Sequence, residues 1–153
     1  MYEAKREAKL VIPALAGFYA TWTDIAFAIM RVILGYIIFM HGWTKVTGAG
    51  LAGVSAYMAR QGLHPAVFFA GAAIFLETVG AVCLAIGLFT RFFAAALAIE
   101  IAIAFFHVHL PKGFAVSQGG YEYVLLMGIV LFAIAIRGGG PYSVDAKIIG
   151  KEL

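Results

Sequence analysis

Arg31, Glu77 and Glu100 each lie near the middle of a long apolar run, where a charged side chain has no water to solvate it. An ionisable group at such a depth costs roughly 2.5–3.5 kcal/mol, or more, unless it finds a partner. An arginine and two carboxylates at one depth therefore imply helices that pack together and bury a polar centre. Two kinds of chemistry suit that centre. Mutual neutralisation would fix helix register. A proton path, or a polar anchor for a substrate headgroup, would use the same three groups.

A second layer of polar residues sits nearer the ends of the runs. His41 closes the first, His107 closes the third, and Glu122 opens the fourth. These three form the candidate catalytic set. Quinone carbonyls need hydrogen-bond donors at a membrane edge and apolar walls for ring and tail. His41, His107 and Glu122 offer the polar part, and Phe105, Phe106 and Tyr121 the cofactor-binding walls. The plainer reading is that histidines near helix ends face headgroups and water. Bis-histidine haem through His41 and His107 is a sharper alternative, disfavoured because no further haem signature exists. A di-metal carboxylate site wants Glu-x-x-His on two helices. Here Glu100 stands seven residues from His107, and no metal site is expected. CxxC pairs, phosphate-binding loops and nucleophile triads are missing, and the single cysteine, Cys83, reads as a packing residue.

Composition sets the class of element that must position these groups. The 153 residues are 63% hydrophobic and 12% charged, and mean hydropathy is +0.97. A soluble domain of this size needs far more charge to cover its surface. Apolar runs at Ile25–Trp43, Val67–Phe89, Phe92–Leu110 and Tyr121–Ile136 approach or reach the roughly 17–25 residues that span a bilayer. The expected fold is all-α: a four-helix transmembrane bundle with a short interfacial helix in the first outer loop. Spans are predicted near residues 24–45, 66–89, 92–110 and 118–137, with the short helix near 50–61. Pro65 marks a helix start, and Thr90–Arg91 a tight turn. Residues 1–23 form a cytoplasmic or interfacial segment with Trp22 as anchor and Thr23 or Asp24 as N-cap. Residues 24–137 are the membrane domain, and 138–153 a cytoplasmic C-terminal tail. No cleaved secretory signal is expected.

Basic residues orient the bundle. Lys5, Arg6, Lys9, Arg91, Arg137, Lys147 and Lys151 fall on one side, against Lys45, Arg60 and Lys112 on the other. The positive-inside rule places both termini in the cytoplasm. No basic stripe is arranged for nucleic acid. At about 100° per residue, Glu100 and His107 share a helix face, whereas His109 points away if the helix stays regular. Arg31 shares its face with Gly35, Ile38, Gly42 and Lys45. Glu77 shares its face with Ala70, Ala73, Gly80, Ala81 and Leu84, small residues that admit a close neighbour. Arg31 is therefore expected to contact Glu77, Glu100 or both.

Arg31, Leu34-Gly35, His41-Gly42 with Lys45, Glu77 with Gly80, and Leu84 through Gly87-Leu88 and Thr90-Arg91 succeed one another in a set order. They are continued by His107, Gly113-Phe114, Gly119-Gly120 with Glu122, and Gly140-Pro141-Tyr142-Ser143-Val144-Asp145. Together they resemble the pattern of the DoxX family from about residue 28 to 147. The resemblance implies a small four-helix protein of a bacterial or archaeal cytoplasmic membrane. Some members are linked to thiosulfate:quinone oxidoreductase or to other membrane redox and stress systems. It implies partners in a membrane complex or a homo-oligomer, besides the bilayer. Two functions stand side by side: a quinone-linked redox subunit, or a non-catalytic anchoring subunit.

Overall fold

The computed structural model describes residues 9–151, and every regular element among them is helical. Pro13 opens a 3-10 turn, Pro13–Leu15, where its missing N–H is no loss. Helix α1 continues directly from it and runs 29 residues, Ala16–Thr44. The predicted cap at Thr23 or Asp24 is corrected, because both lie inside α1. Nothing between Ala16 and Thr44 breaks a helix. The hydroxyls of Thr21 and Thr23 donate to the Gly17 and Tyr19 carbonyls one turn back, at 3.0 and 2.6 Å. Residues 16–23 are thus the first turns of the helix, and Trp22 is exposed on them. Lys5 and Arg6, invoked for orientation, lie outside the described residues.

A π turn, Lys45–Ala49, leads into the short helix α2, Gly50–Arg60, close to its predicted place. The second arm is built from α3, Ala66–Phe75, a π turn at Leu76–Gly80, and α4, Ala81–Ile86. The chain reverses at Gly87–Phe89, with Gly87 and Phe89 at φ +75° and +47°. The predicted turn at Thr90–Arg91 is therefore displaced: those residues open α5, Thr90–Ala104. Helix α5 unwinds through a π turn, Phe105–His109. The predicted start of the last span near residue 118 is corrected as well. Gly119, at φ +76°, ends a 3-10 turn there, and α6 spans Glu122–Arg137.

Three helical stretches, Pro13–Arg60, Ala66–Ile86 and Thr90–Lys112, are long and apolar enough to cross a membrane. Helix α6, with 16 residues, packs along α5. Leu84, Leu97, Leu131 and Ile134 meet in the centre with no exposed surface. Ile33, Phe92, Ile99, Phe132 and Ile136 remain more than half exposed on the outside, as lipid-facing residues must. The result is an all-α helical membrane bundle.

Two glycines set the register of α1 against the second arm. A Cβ on Gly35 would lie 2.7 Å from the Ala81 carbonyl oxygen, and one on Gly42 would lie 2.6 Å from the Glu77 carbonyl. Backbones this close leave no freedom to slide. In this register Arg31 passes below Glu77. Its Nη1 donates to the Leu84 and Ala85 carbonyls, each at 2.7 Å, and its Nη2 to the Tyr142 carbonyl at 2.9 Å. The expected contact of Arg31 with Glu77 or Glu100 is therefore replaced by a different one.

Tyr142 belongs to the segment predicted to be a tail, which instead docks into the end of the bundle. Asp145 is 2% exposed and attracts Arg31, itself 1% exposed. Its carboxylate accepts from the Phe89 and Thr90 amides, both at 2.8 Å, and from the Thr90 hydroxyl at 2.7 Å. It thereby caps α5, where an anion meets the positive end of the helix dipole. Arg31→Ala should cost about 3–5 kcal/mol, the loss seen when a buried charge is stranded. Arg31→Ala with Asp145→Ala should cost less than the two single losses added. Unfolding in mild detergent checks this, and an Arg31→Ala protein as stable as the parent would contradict the buried latch.

Candidate functional site

Lys45 leaves the last turn of α1 and meets Glu77 on the π turn of the second arm, beside the space that Gly42 keeps open. Its ammonium group donates to Glu77 Oε1. Both lie 11–14 residues beyond Arg31 along α1 when Glu77 is placed by its contact with Gly42, about 16–21 Å along the axis. The chain therefore has two charged centres rather than one. Glu100, on α5, completes the upper centre: it is repelled by Glu77 and attracted by Lys45. One cation faces two carboxyl groups. Glu77 is 8% exposed, and its carboxyl and that of Glu100 stand within hydrogen-bond reach of each other, a contact that needs a proton on one of them; their buried Oε2 atoms have no other partner.

These carboxyls line a cavity of about 700 Å³. Its walls are Ile38, Phe68, Phe69, Leu76, Ile103 and Met127; Tyr57 and Met58 of α2 face it, and His41, His109 and Tyr123 add polar edges. Each of three helices departs from α geometry where it borders this space. The π turns at Lys45–Ala49, Leu76–Gly80 and Phe105–His109 contribute Lys45, Glu77 and His109 respectively. A π turn sets extra residues into a helix, re-aims the side chains beyond it, and is found disproportionately at functional sites.

The third π turn explains why the histidines exchange roles. In a regular helix His107 would share the Glu100 face and His109 would point away. One extra residue rotates the remainder of the helix by about 100°. His107 is accordingly exposed and is not among the cavity-lining residues, whereas His109 lines the cavity and pairs through Nδ1 with the Gly119 carbonyl at 2.7 Å. His41 lines the cavity from α1. Glu122 does not reach it: its Oε1 accepts from the Val116 amide at 2.7 Å and closes the loop before α6. The set His41, His107 and Glu122 is thus not brought together.

The expected aromatic walls are elsewhere too. Phe105 and Phe106 line an apolar groove between α5 and α6, and Tyr121 packs edge-on to Phe105 and Phe114. Lys45 and His109 are the residues that sequence reasoning does not place at the site. Lys45 could have been found, since it falls on the Arg31–Gly42 face. His109 could not, because no local signal announces the π turn. Chemically, two neighbouring carboxyls beside one ammonium hold a proton between them, so the cavity floor can donate as well as accept a hydrogen bond.

An apolar helical bundle with charges gathered inside defines a membrane protein whose polar groups serve its interior rather than its surface. Its sequence matches the profile of the DoxX family over residues 26–110, more than half the chain. The chain belongs to the DoxX family. That stretch contains Arg31, Lys45, Glu77 and Glu100, but not Asp145. An uncharacterized protein of Haemophilus influenzae is 30% identical over 128 residues, covering 81% of this chain and 91% of that protein. A second uncharacterized protein of the same organism is 34% identical over 62 residues, 40% of this chain and 41% of its own length. No solved structure gives a significant match.

Lys45→Met should lower stability by less than the roughly 3–5 kcal/mol of a fully buried pair, because Lys45 is 31% exposed. Adding Glu77→Gln should restore part of the loss, since the repelling carboxylate goes with it. Melting temperatures of the two variants in detergent measure this. A double variant less stable than Lys45→Met would contradict the coupling.

Proposed function

We propose that this DoxX-family protein is the quinone-binding subunit of a membrane redox system. The observation that carries the reading is an apolar cavity inside the bundle whose one charged end is formed by Lys45, Glu77 and Glu100. Small-molecule sites are mostly apolar with a few convergent polar groups, and a quinone headgroup with its tail matches that division. The Lys45 ammonium group has N–H donors beyond the one given to Glu77, and a ring carbonyl can accept one. Glu77 and Glu100 can pass protons, and His41 and His109 stand on the cavity edge. This places the deeper carboxyls at the centre of the site and keeps His41. His107 and Glu122 stand outside the cavity and have no part in the site.

Quinone chemistry moves two electrons with its protons, and the electrons are assigned to a partner protein in the membrane. The basic residues put the α2 end on the outer face, and the α1 start and the Asp145 latch on the cytoplasmic face, of a bacterial or archaeal cytoplasmic membrane. The alternative is a non-catalytic subunit that anchors or stabilises a larger membrane complex. Protein purified from membranes in mild detergent should yield extractable quinone. Lys45→Met should lower that yield at least tenfold while the helical circular dichroism is unchanged. Parent protein that carries no quinone and takes up none when titrated with decylubiquinone would leave the anchoring role.

A further inference from the structure

We infer that the cavity is entered from the lipid, through a side opening between α3 and α5, and that it therefore takes ligands with a long apolar tail. The inference rests on the quinone reading and adds the route and the tail to it. A cavity of about 700 Å³ suits a drug-sized ligand. A ring carrying a polyisoprenoid chain is larger than that, so the chain must leave the bundle, and the walls decide where. Towards α1 and α6 the lining side chains Ile38, Val124 and Met127 are buried, and that side is shut. Towards α3 and α5 it is not: Phe68 and Ile99 line the same cavity and are 66% and 64% exposed. Apolar side chains that border an internal space and also face outward mark the edge of an opening.

The helix packing agrees. Helix α5 packs against α4 and the π turn at Leu76–Gly80, but has almost no backbone contact with α3. Below the opening the seam is closed by Phe75 against Phe93, with ring centroids 6.5 Å apart. Between its edges lie Ala72, one turn on from Phe68, and Ala96, one turn back from Ile99; both line the cavity, and their small side chains leave the threshold wide. Glu77 and Glu100 follow the lining residues Leu76 and Ile99 directly, so the polar floor stands close behind the threshold. A ring on that floor has its tail pointing out. His41, Tyr57 and Val116, the other exposed side chains on the cavity, stand near α2 and the loop before α6, where a tail would meet the membrane surface. Between Phe68 and Ile99 it meets acyl chains, in the outer leaflet on the orientation proposed above. Apolar surface leaves water there at no cost.

Photo-cross-linking reads the route. A decyl-tailed ubiquinone with a diazirine at the end of its tail is loaded into the protein in lipid nanodiscs and irradiated, and the adducts are mapped by mass spectrometry. Adducts should fall on α3 and α5, at Phe68, Ala72, Ile99 and Ile103, and excess decylubiquinone should remove them. Ala72→Trp and Ala96→Trp narrow the threshold. Each should slow both association and release of radiolabelled decylubiquinone at least tenfold, while the dissociation constant moves less than threefold. Ala102→Trp, on the exposed side of α5 and outside the cavity, should leave both rates as in the parent. Competable adducts on α2, on the loop before α6, or on α1 and α6 would overturn the side opening and leave the quinone site standing. Folded tryptophan variants with parent rates, or with weaker binding and unslowed release, would overturn the role of the threshold. No competable adduct, together with no decylubiquinone binding by calorimetry, would remove the quinone reading itself.

Discussion

The contact on which the structure turns is the close approach of α1 to the second arm at Gly35 and Gly42. Side chains cannot be fitted between backbones that leave a Cβ only 2.6–2.7 Å from the opposite carbonyl. That seam fixes which residues of α1 face which residues of α3 and α4. It sets Lys45 on Glu77 at one level, and the Arg31 guanidinium under the Leu84 and Ala85 carbonyls at another. Sliding the helices by one turn would strand both cations in apolar surroundings, which lipid does not forgive. Register and electrostatics therefore enforce one another.

The two charged centres differ in how completely they are satisfied. Around Arg31, backbone carbonyls and Asp145 absorb the charge, and Asp145 spends its own oxygens on Phe89 and Thr90. The arrangement ties the C-terminal segment, α1 and the α4–α5 reversal into a closed end. At the upper centre two carboxyls share one ammonium, and they meet each other, so the pair must hold a proton to avoid setting charge against charge. Arg31 closes one end of the bundle, and Glu77 and Glu100 line the cavity at the other.

Much of the fold is legible in the residues. Apolar runs mark the helices, Pro65 a helix start, and the spacing from Arg31 through Gly35 and Gly42 to Lys45 the packing face. The relative height of the helices is hidden, because α1 begins at Ala16, well before the first charged N-cap candidate, and its true span shifts the pairing. Spacing alone therefore matches Arg31 to carboxyls that another cation holds. The C-terminal segment reads as a tail because its partners, the Phe89 and Thr90 amides, are backbone groups that a sequence does not display. His107 and His109 change places for a similar reason: the spacing of a regular helix does not display the π turn that rotates them.

The central claim is that the Lys45–Glu77–Glu100 floor is a ligand site rather than a structural knot. A density map of the protein in lipid nanodiscs loaded with decylubiquinol tests it most directly. The expected result is a planar ring with one oxygen within hydrogen-bond distance of Lys45 or of the Glu77–Glu100 carboxyl pair, and the tail leaving between apolar walls. A cavity filled only by ordered water or a lipid chain would contradict it.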